Sequence, residues 1–374
     1  MDSLNTRYVE ISPEDIDDKV LSEAGDILKA GGLVAFPTET VYGLGGDGLN
    51  PLSSKKIYEA KGRPSDNPLI LHIASMDAVE HIAKDVTPEA YKLMEQFWPG
   101  PLTVILNKKD NVPDETTGGL KTVAIRMPSH PVAKRLIELS GLYIAAPSAN
   151  TSGRPSPTKG SHVKEDLFGK IDMIIDSGAV GIGIESSIID MTGERPMLLR
   201  PGYIKPEDVE EVLGEVDIDP VVLGKLMPEG TAPKAPGMKY RHYAPKGDME
   251  VVKGEEIKVS EYILKNVRAD ADDGKRVAIL TTEENKAIYQ KALDGLVAGE
   301  GNADKPGNRD KVTIISLGSC AKAGQISAHL FDALRSLDNM DIEMIYSETF
   351  YEDDMGMAVM NRLLKAAAYK VIEV

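Results

Sequence analysis

Five prolines, Pro220, Pro228, Pro233, Pro236 and Pro245, fall in 26 residues that carry no periodic apolar face. Proline fixes φ and removes a backbone donor, so neither a regular helix nor an inner strand runs through such a stretch. It reads as a stiff, extended linker. A chain of 374 residues is too long for one ordinary core. The sequence therefore predicts a first domain over 1–213, a proline-rich segment over 214–245 and a second domain over 246–374. Within the segment, APGMKYRHYAP is too rich in aromatic and basic residues to be a bare spacer.

Before the segment, strands and helices alternate irregularly. The apolar spacing of Ile16, Val20, Ala24, Ile27 and Leu28 predicts a helix over 15–30, ended by Gly31-Gly32. A strand over 33–36 follows, then a glycine-rich stretch, then the helix KKIYEAKG, with Ser53 or Ser54 as its cap and Gly62 and Pro64 as its stop. Apolar runs over 68–73, 103–106, 122–127, 173–175, 187–191 and 197–199 read as strands. Short helices are expected over 88–97, in HPVAKRLIELSG and in PEDVEEVLG. This pattern predicts a mixed-sheet α/β domain. After Pro245 the alternation is cleaner: strands MEVV, RVAIL, VTIIS and EMIYS are separated by amphipathic helices. That is the pattern of a smaller, parallel, doubly wound α/β domain.

An apolar content of 42% and a charged content of 27% are those of a globular enzyme. Nowhere does an uncharged apolar run reach the roughly 18–20 residues a bilayer requires. The acidic, polar N-terminus resembles neither a signal nor a transit peptide. The single cysteine, Cys320, excludes an intramolecular disulfide, and a reducing cytoplasm is the expected location. A net charge of −16 argues against tight, sequence-independent nucleic-acid binding, which needs clustered Lys and Arg. The six histidines form no metal-binding spacing, so no protein-held metal is expected.

The densest chemistry lies over 33–72. Gly43, Gly45 and Gly48 satisfy G-x-G-x-x-G, but PTETVY separates the preceding strand from the first glycine, and no helix opens at the last. A nicotinamide-dependent oxidoreductase is thus disfavoured, and 43–48 is expected to be a tight turn. Lys61 and Arg63, in AKGRPSDNP, fit either a solvated helix C-terminus or a rigid anion-binding loop. Ser148 and Asn150, in AAPSANTSG, fit either a turn or a phosphate or ribose contact. Arg126 and Arg200 each end an apolar strand shortly before a proline and suit carboxylate or phosphate clamps. His72 also ends a strand. In the second domain, SLGSCAKAG reads as the start of a helix, and Cys320 as structural.

PTETVYGLG, Lys61-Gly62-Arg63, Ser148-Ala149-Asn150, GIGIESSIID and PGMKYRHYAP together resemble the L-threonylcarbamoyladenylate synthases. The likeness is to their long form, with a YrdC-type catalytic domain and an extra C-terminal domain, and is strongest over about 15–245. It implies a YrdC-like twisted mixed sheet with a concave active site, followed by a Rossmann-like domain. It implies that L-threonine, bicarbonate and ATP give threonylcarbamoyl-AMP, pyrophosphate and water. A downstream complex would then use the product to modify adenosine beside the anticodon of certain tRNAs. Carried over residue by residue, the resemblance puts L-threonine on Thr40, His72, Arg126, Ala146 and Ser186. ATP would meet Arg63, Asn67, Thr122, Ser148, Asn150, Ser156, Arg200 and Tyr243, with Lys61 and Arg63 as the catalytic cations. Mg²⁺ would be held by the ATP phosphates, without protein ligands, and the linker motif would close over the mouth of the site. Ser187 stands where the family pattern has threonine. The alternative is an RNA- or tRNA-binding module of the same fold, which the acidic charge disfavours.

Overall fold

The computed structural model describes residues 4–224, 233–238, 242–298, 309–322, 324–350 and 356–374. Residues 225–232 and 239–241 of the expected linker, including Pro228 and the Lys-Tyr-Arg of its aromatic–basic motif, lie outside them. The chain divides into two compact units, one of 1–152 with 156–240, the other of 153–155 with 241–374.

The first unit is built on a twelve-stranded mixed sheet. Its strands are β1 (Arg7–Glu10), β2 (Val34–Phe36), β3 (Gly43–Asp47), β4 (Ile70–His72), β5 (Ala83–Lys84) and β6 (Leu102–Lys108), followed by β7 (Thr122–Arg126), β8 (Ile144–Ala145), β9 (Met173–Asp176), β10 (Ser187–Asp190), β11 (Met197–Arg200) and β12 (Asp217–Ile218). Their order is β1-β9-β2-β3-β8-β4-β7-β6-β10-β11-β12, with β5 beside β6. The short edge strands β1, β5 and β12 carry too little apolar alternation to announce themselves.

Two sequence expectations are corrected here. Residues 43–47 form an inner strand between β2 and β8, not a turn. The glycines permit close approach: a Cβ on Gly45 would lie 2.8 Å from Ile144 and 2.9 Å from Phe36, and one on Gly48 2.2 Å from Leu71. Nor do Ser53 and Ser54 cap a helix. The helix Pro51–Lys61 starts earlier, because Asn50 Oδ1 accepts from the Leu52 amide at 3.0 Å and Pro51 occupies the first turn.

Side chains alternate along each strand, so the sheet has two distinct faces. One face, with Leu71, Val104, Leu106, Val123 and Ile125, packs with helical residues such as Ile57, Leu93 and Val209 in the larger core. On the other face, Val34, Phe36, Ile144, Met173 and Ile175 lie under the helices Asp18–Lys29 and Pro131–Ser140. Further along that face, Ile70, Ala124, Ile105, Ile188 and Leu199 are covered by Ala235 and Met238. Thus part of the proline-rich segment docks as a cover on the first unit. Between these two covered patches the face is polar.

The second unit has a five-stranded parallel sheet of β13 (Asp248–Lys253), β14 (Val277–Thr281), β15 (Val312–Ser316), β16 (Met344–Glu348) and β17 (Val371–Glu373), ordered β15-β14-β16-β13-β17. Helices Glu256–Asp272, Glu283–Ala298, Gln325–Asn339 and Gly356–Ala366 connect the strands, so the sheet is doubly wound, as its alternation predicts.

Candidate active site

Register builds the floor of the polar gap. His72 pairs with Arg126 across β4 and β7, and Arg126 with Thr103 across β7 and β6, so the three share one row of one face. The next row, Ile70, Ala124 and Ile105, is apolar. Pro128 explains why the ladder stops where it does: it cannot donate to a neighbour, and Arg126 is left at the strand's end.

Arg126 is 4% exposed. Its Nη1 donates to Thr40 Oγ1 at 2.9 Å, and its Nη2 lies 2.7 Å from Glu39 Oε1. The guanidinium Nε and Nη2, and both Glu39 carboxylate oxygens, are removed from solvent but meet no partner at hydrogen-bonding alignment. Burial pushes the Glu39 carboxyl up, but Arg126 and the main-chain amides of Glu39 and Ser129 outweigh it and hold the group below its ordinary value. Glu39 escaped the sequence reading because Arg126 is 87 residues away in the chain; only the density of polar groups in PTET hinted at it.

His72 is pushed down to about 3, first by burial and then by the Arg126 charge. It is a neutral imidazole at neutral pH. Its Nδ1 lies 3.2 Å from the Ile70 carbonyl, and its ring meets Phe36 edge-on at 6.2 Å.

Ser186 closes another side. Its Oγ lies 2.7 Å from Thr103 Oγ1, and Arg200 donates to its Oγ and its carbonyl, each at 3.0 Å. Arg200 therefore braces the 181–186 loop and also reaches the Pro236 carbonyl at 3.5 Å. That loop is tied to the Thr40 turn, since the Ile182 and Gly183 amides donate to the Glu39 and Thr40 carbonyls. Ser156 donates to Glu185, which the sequence reading also missed. Ser187, at the variant position, donates to the Ile204 carbonyl at 2.6 Å.

The two loops with paired motifs are joined directly. Gly62, at φ +63°, ends the helix in a left-handed turn, so Lys61 and Arg63 leave in different directions. Lys61, 2% exposed, donates to the Ser148 and Asn150 carbonyls and approaches Asn150 Oδ1 at 3.3 Å. Ser148 Oγ donates to the same Oδ1 at 2.6 Å. Lys61 thus holds the Ser-Ala-Asn loop in place. Arg63 instead donates to the Asn67 and Pro68 carbonyls, at 3.3 and 3.1 Å. Asn67 Oδ1 is buried without a hydrogen-bond partner. The Ala146 amide donates to the Ile70 carbonyl at 2.9 Å, which ties the start of the Ser-Ala-Asn loop to β4.

The structure therefore brings Thr40, His72, Arg126 and Ser186 to one polar face, with Lys61, Ser148, Asn150 and Ala146 bonded to one another or to β4. Thr122 shares the face of Arg126 but stands four residues along β7, about 13 Å away. Tyr243 belongs to the second unit, where it is buried at φ +64° and stacks on Phe331 at 5.0 Å. Among the described residues, no group of three or more His, Cys, Asp or Glu could hold a metal ion. No helix among them is long and apolar enough to cross a membrane.

Comparison with known proteins gives this face its context. Residues 26–202 match the family model described as telomere recombination, and residues 204–368 match that of the threonylcarbamoyl-AMP synthase C-terminal domain. The chain is 46% identical over 361 residues to the threonylcarbamoyl-AMP synthase of Pyrococcus abyssi, covering 96% of this chain and 98% of that one. It is 43% identical to the Bacillus subtilis enzyme, covering 98% of each. The structure of P. abyssi Sua5 complexed with L-threonine is similar at a TM-score of 0.87 and 45% identity, over 99% of this chain and all of that one. A buried cationic and hydroxyl-lined face on a mixed sheet, with a parallel second domain and full-length likeness of this order, places the chain in the threonylcarbamoyl-AMP synthase family in its long, two-domain form.

Proposed function

We propose that this protein is a nucleotidyltransferase that makes threonylcarbamoyl-AMP from L-threonine, bicarbonate and ATP, with release of pyrophosphate and water. The observation that carries the reading is the buried Arg126 guanidinium, with donors unmatched beside the Thr40 and Ser186 hydroxyls and the neutral His72. Such an edge suits a carboxylate. Threonine would place its carboxylate on Arg126, with its amine and hydroxyl oriented by Thr40, His72, Ser186 and the Ala146 main chain.

The threonine amine attacks the carbon of bicarbonate and water departs, leaving an N-carboxylate. One carboxylate oxygen then attacks the α-phosphorus of ATP, and pyrophosphate leaves. Both steps need positioning and charge neutralisation more than a base dyad. Arg63 and Lys61 would lie against the phosphates, Lys61 chiefly by holding Ser148 and Asn150 in place. Asn67, Thr122, Ser156 and Arg200 are the further ATP contacts of the first unit in this reading. Mg²⁺ would supply charge neutralisation while held by the phosphates, with the unpartnered Asn67 oxygen as a neutral neighbour; the cationic, carboxylate-poor loop suits a metal delivered with its nucleotide. The product would pass in the cytoplasm to a separate threonylcarbamoyl-transfer complex acting on tRNA.

Pyrophosphate release measured with each substrate omitted in turn tests the reading. It is expected only when L-threonine, bicarbonate, ATP and Mg²⁺ are all present. Release that continues without threonine would overturn it.

A further inference from the structure

Glu39 is a charged group beside Thr40 and Arg126 that the family-based assignment leaves without a role. It sits in the turn between β2 and β3, one residue before Thr40, with a side chain 13% exposed. A carboxylate and a guanidinium at 2.7 Å ordinarily align into a two-bond fork, which offsets the cost of burying both charges. Here the contact falls short of that fork: Arg126 Nε, Arg126 Nη2 and both Glu39 oxygens are shielded from water and lack a well-aligned hydrogen bond, although the Arg126 charge and the Glu39 and Ser129 amides lie close enough to hold the carboxyl low. Among the described residues no well-aligned hydrogen bond completes the pair. Arg126 Nη1 is taken by Thr40, and the groups that face Glu39 are the Ser129 amide, the His130 ring and, further off, the neutral His72. His130 Nδ1 is itself buried without a partner.

An anion and a cation held side by side, each with unused valences, complement a ligand that carries both charges on adjacent groups. An α-amino acid zwitterion is such a ligand. We propose that Glu39 is a specificity-determining residue of this site: it receives the α-ammonium of the amino acid whose carboxylate Arg126 takes. The inference rests on the reading that L-threonine is a substrate. It adds that the site selects amino acids over hydroxy acids of the same shape, and that the selection resides in one carboxylate. The open bonds of the ligand-free pair would be completed on binding, so the burial cost of the charges is offset by the substrate itself.

The test is calorimetric titration of the full-length protein with L-threonine and with 2,3-dihydroxybutanoate, the hydroxy acid in which a hydroxyl replaces its amine, alongside ATP. The wild type is expected to bind L-threonine at least tenfold more tightly than the analogue. Glu39→Gln is expected to bring that ratio near one by weakening L-threonine, while ATP affinity stays within twofold. Glu39→Asp, which keeps the charge but withdraws it by one methylene, is expected to retain part of the preference. An unchanged ratio in folded Glu39→Gln would overturn the inference, as would an equal loss for ATP and L-threonine, which a merely structural role would give. Should Glu39→Gln fail to fold, an unchanged ratio in Glu39→Asp overturns it instead. A wild type that binds no L-threonine would overturn the functional reading as well, so the two failures are distinguishable.

Discussion

Each sheet buries a glutamate beside the end of a strand, and the two are handled in opposite ways. In the second unit, Glu348 ends β16 and accepts from Thr281 at 2.8 Å, Tyr289 at 2.7 Å and Asn285 at 3.2 Å. Burial pushes its carboxyl up, and these neutral donors only partly oppose the shift. In the first unit, Glu39 meets a full positive charge and is held low, yet neither it nor Arg126 is fully bonded. A closed set of bonds locks a fold; an open one waits for a ligand. Burial alone would have marked both as sites, whereas the count of unmatched donors and acceptors separates them.

The comparison makes graded predictions. The largest effect is expected from Arg63→Ala, which should lower turnover by about 10²–10³-fold if, as proposed, Arg63 donates to charge developing on the phosphates. Circular dichroism should show the fold intact; near-normal turnover would remove the phosphates from this loop. Glu348→Ala should act on stability alone. It strands two buried donors and a half-buried one and should cost about 2–3 kcal/mol in denaturant unfolding, with L-threonine affinity unchanged. A fall in L-threonine affinity without destabilisation would break the distinction between closed and open clusters.

A smaller effect concerns pH. The folded His72 titrates near 3, below the ordinary 6.5, so on acidification the unfolded chain takes up this proton first. Its contribution is therefore complete above pH 6.5 and is lost as pH falls toward 3. Between pH 6.5 and 4.5, above the titration of most carboxylates, His72→Asn should flatten the stability curve by about 1 kcal/mol per pH unit. Parallel curves for the two proteins would contradict the buried, neutral assignment. The smallest change is expected from Ser187→Thr, which keeps the hydroxyl bond to Ile204 and adds one buried methyl. It should cost about 1 kcal/mol in thermal unfolding and leave turnover within twofold. A tenfold loss of turnover would show that the departure from the family pattern matters.

Local signals in the chain were read well where chemistry and punctuation coincide. Arg126, Arg200 and His72 each end an apolar strand, and Lys61 and Arg63 flank a helix-ending glycine, so their places follow from short-range rules. The Ser-Ala-Asn loop was found the same way, but its bond to Lys61 joins positions 87 and 89 residues apart and no local pattern carries it. Glycines were misread in 43–48 because turn propensity is local, whereas the need for bare Cα atoms against Ile144, Phe36 and Leu71 is set by distant strands. The Glu39–Arg126 contact was invisible for the same reason. In the proline-rich segment, Ala235 and Met238 looked unstructured by period, yet they cover an apolar row that exists only once β4, β7, β6, β10 and β11 are side by side.

The claim that unmatched bonds mark the substrate face is tested most directly by a crystal structure of the full-length protein soaked with L-threonine. The account predicts the amino acid's carboxylate within about 3.2 Å of Arg126 Nε or Nη2, and its ammonium at the same distance from a Glu39 oxygen. L-Threonine bound elsewhere, with Arg126 and Glu39 still unmatched, would contradict it.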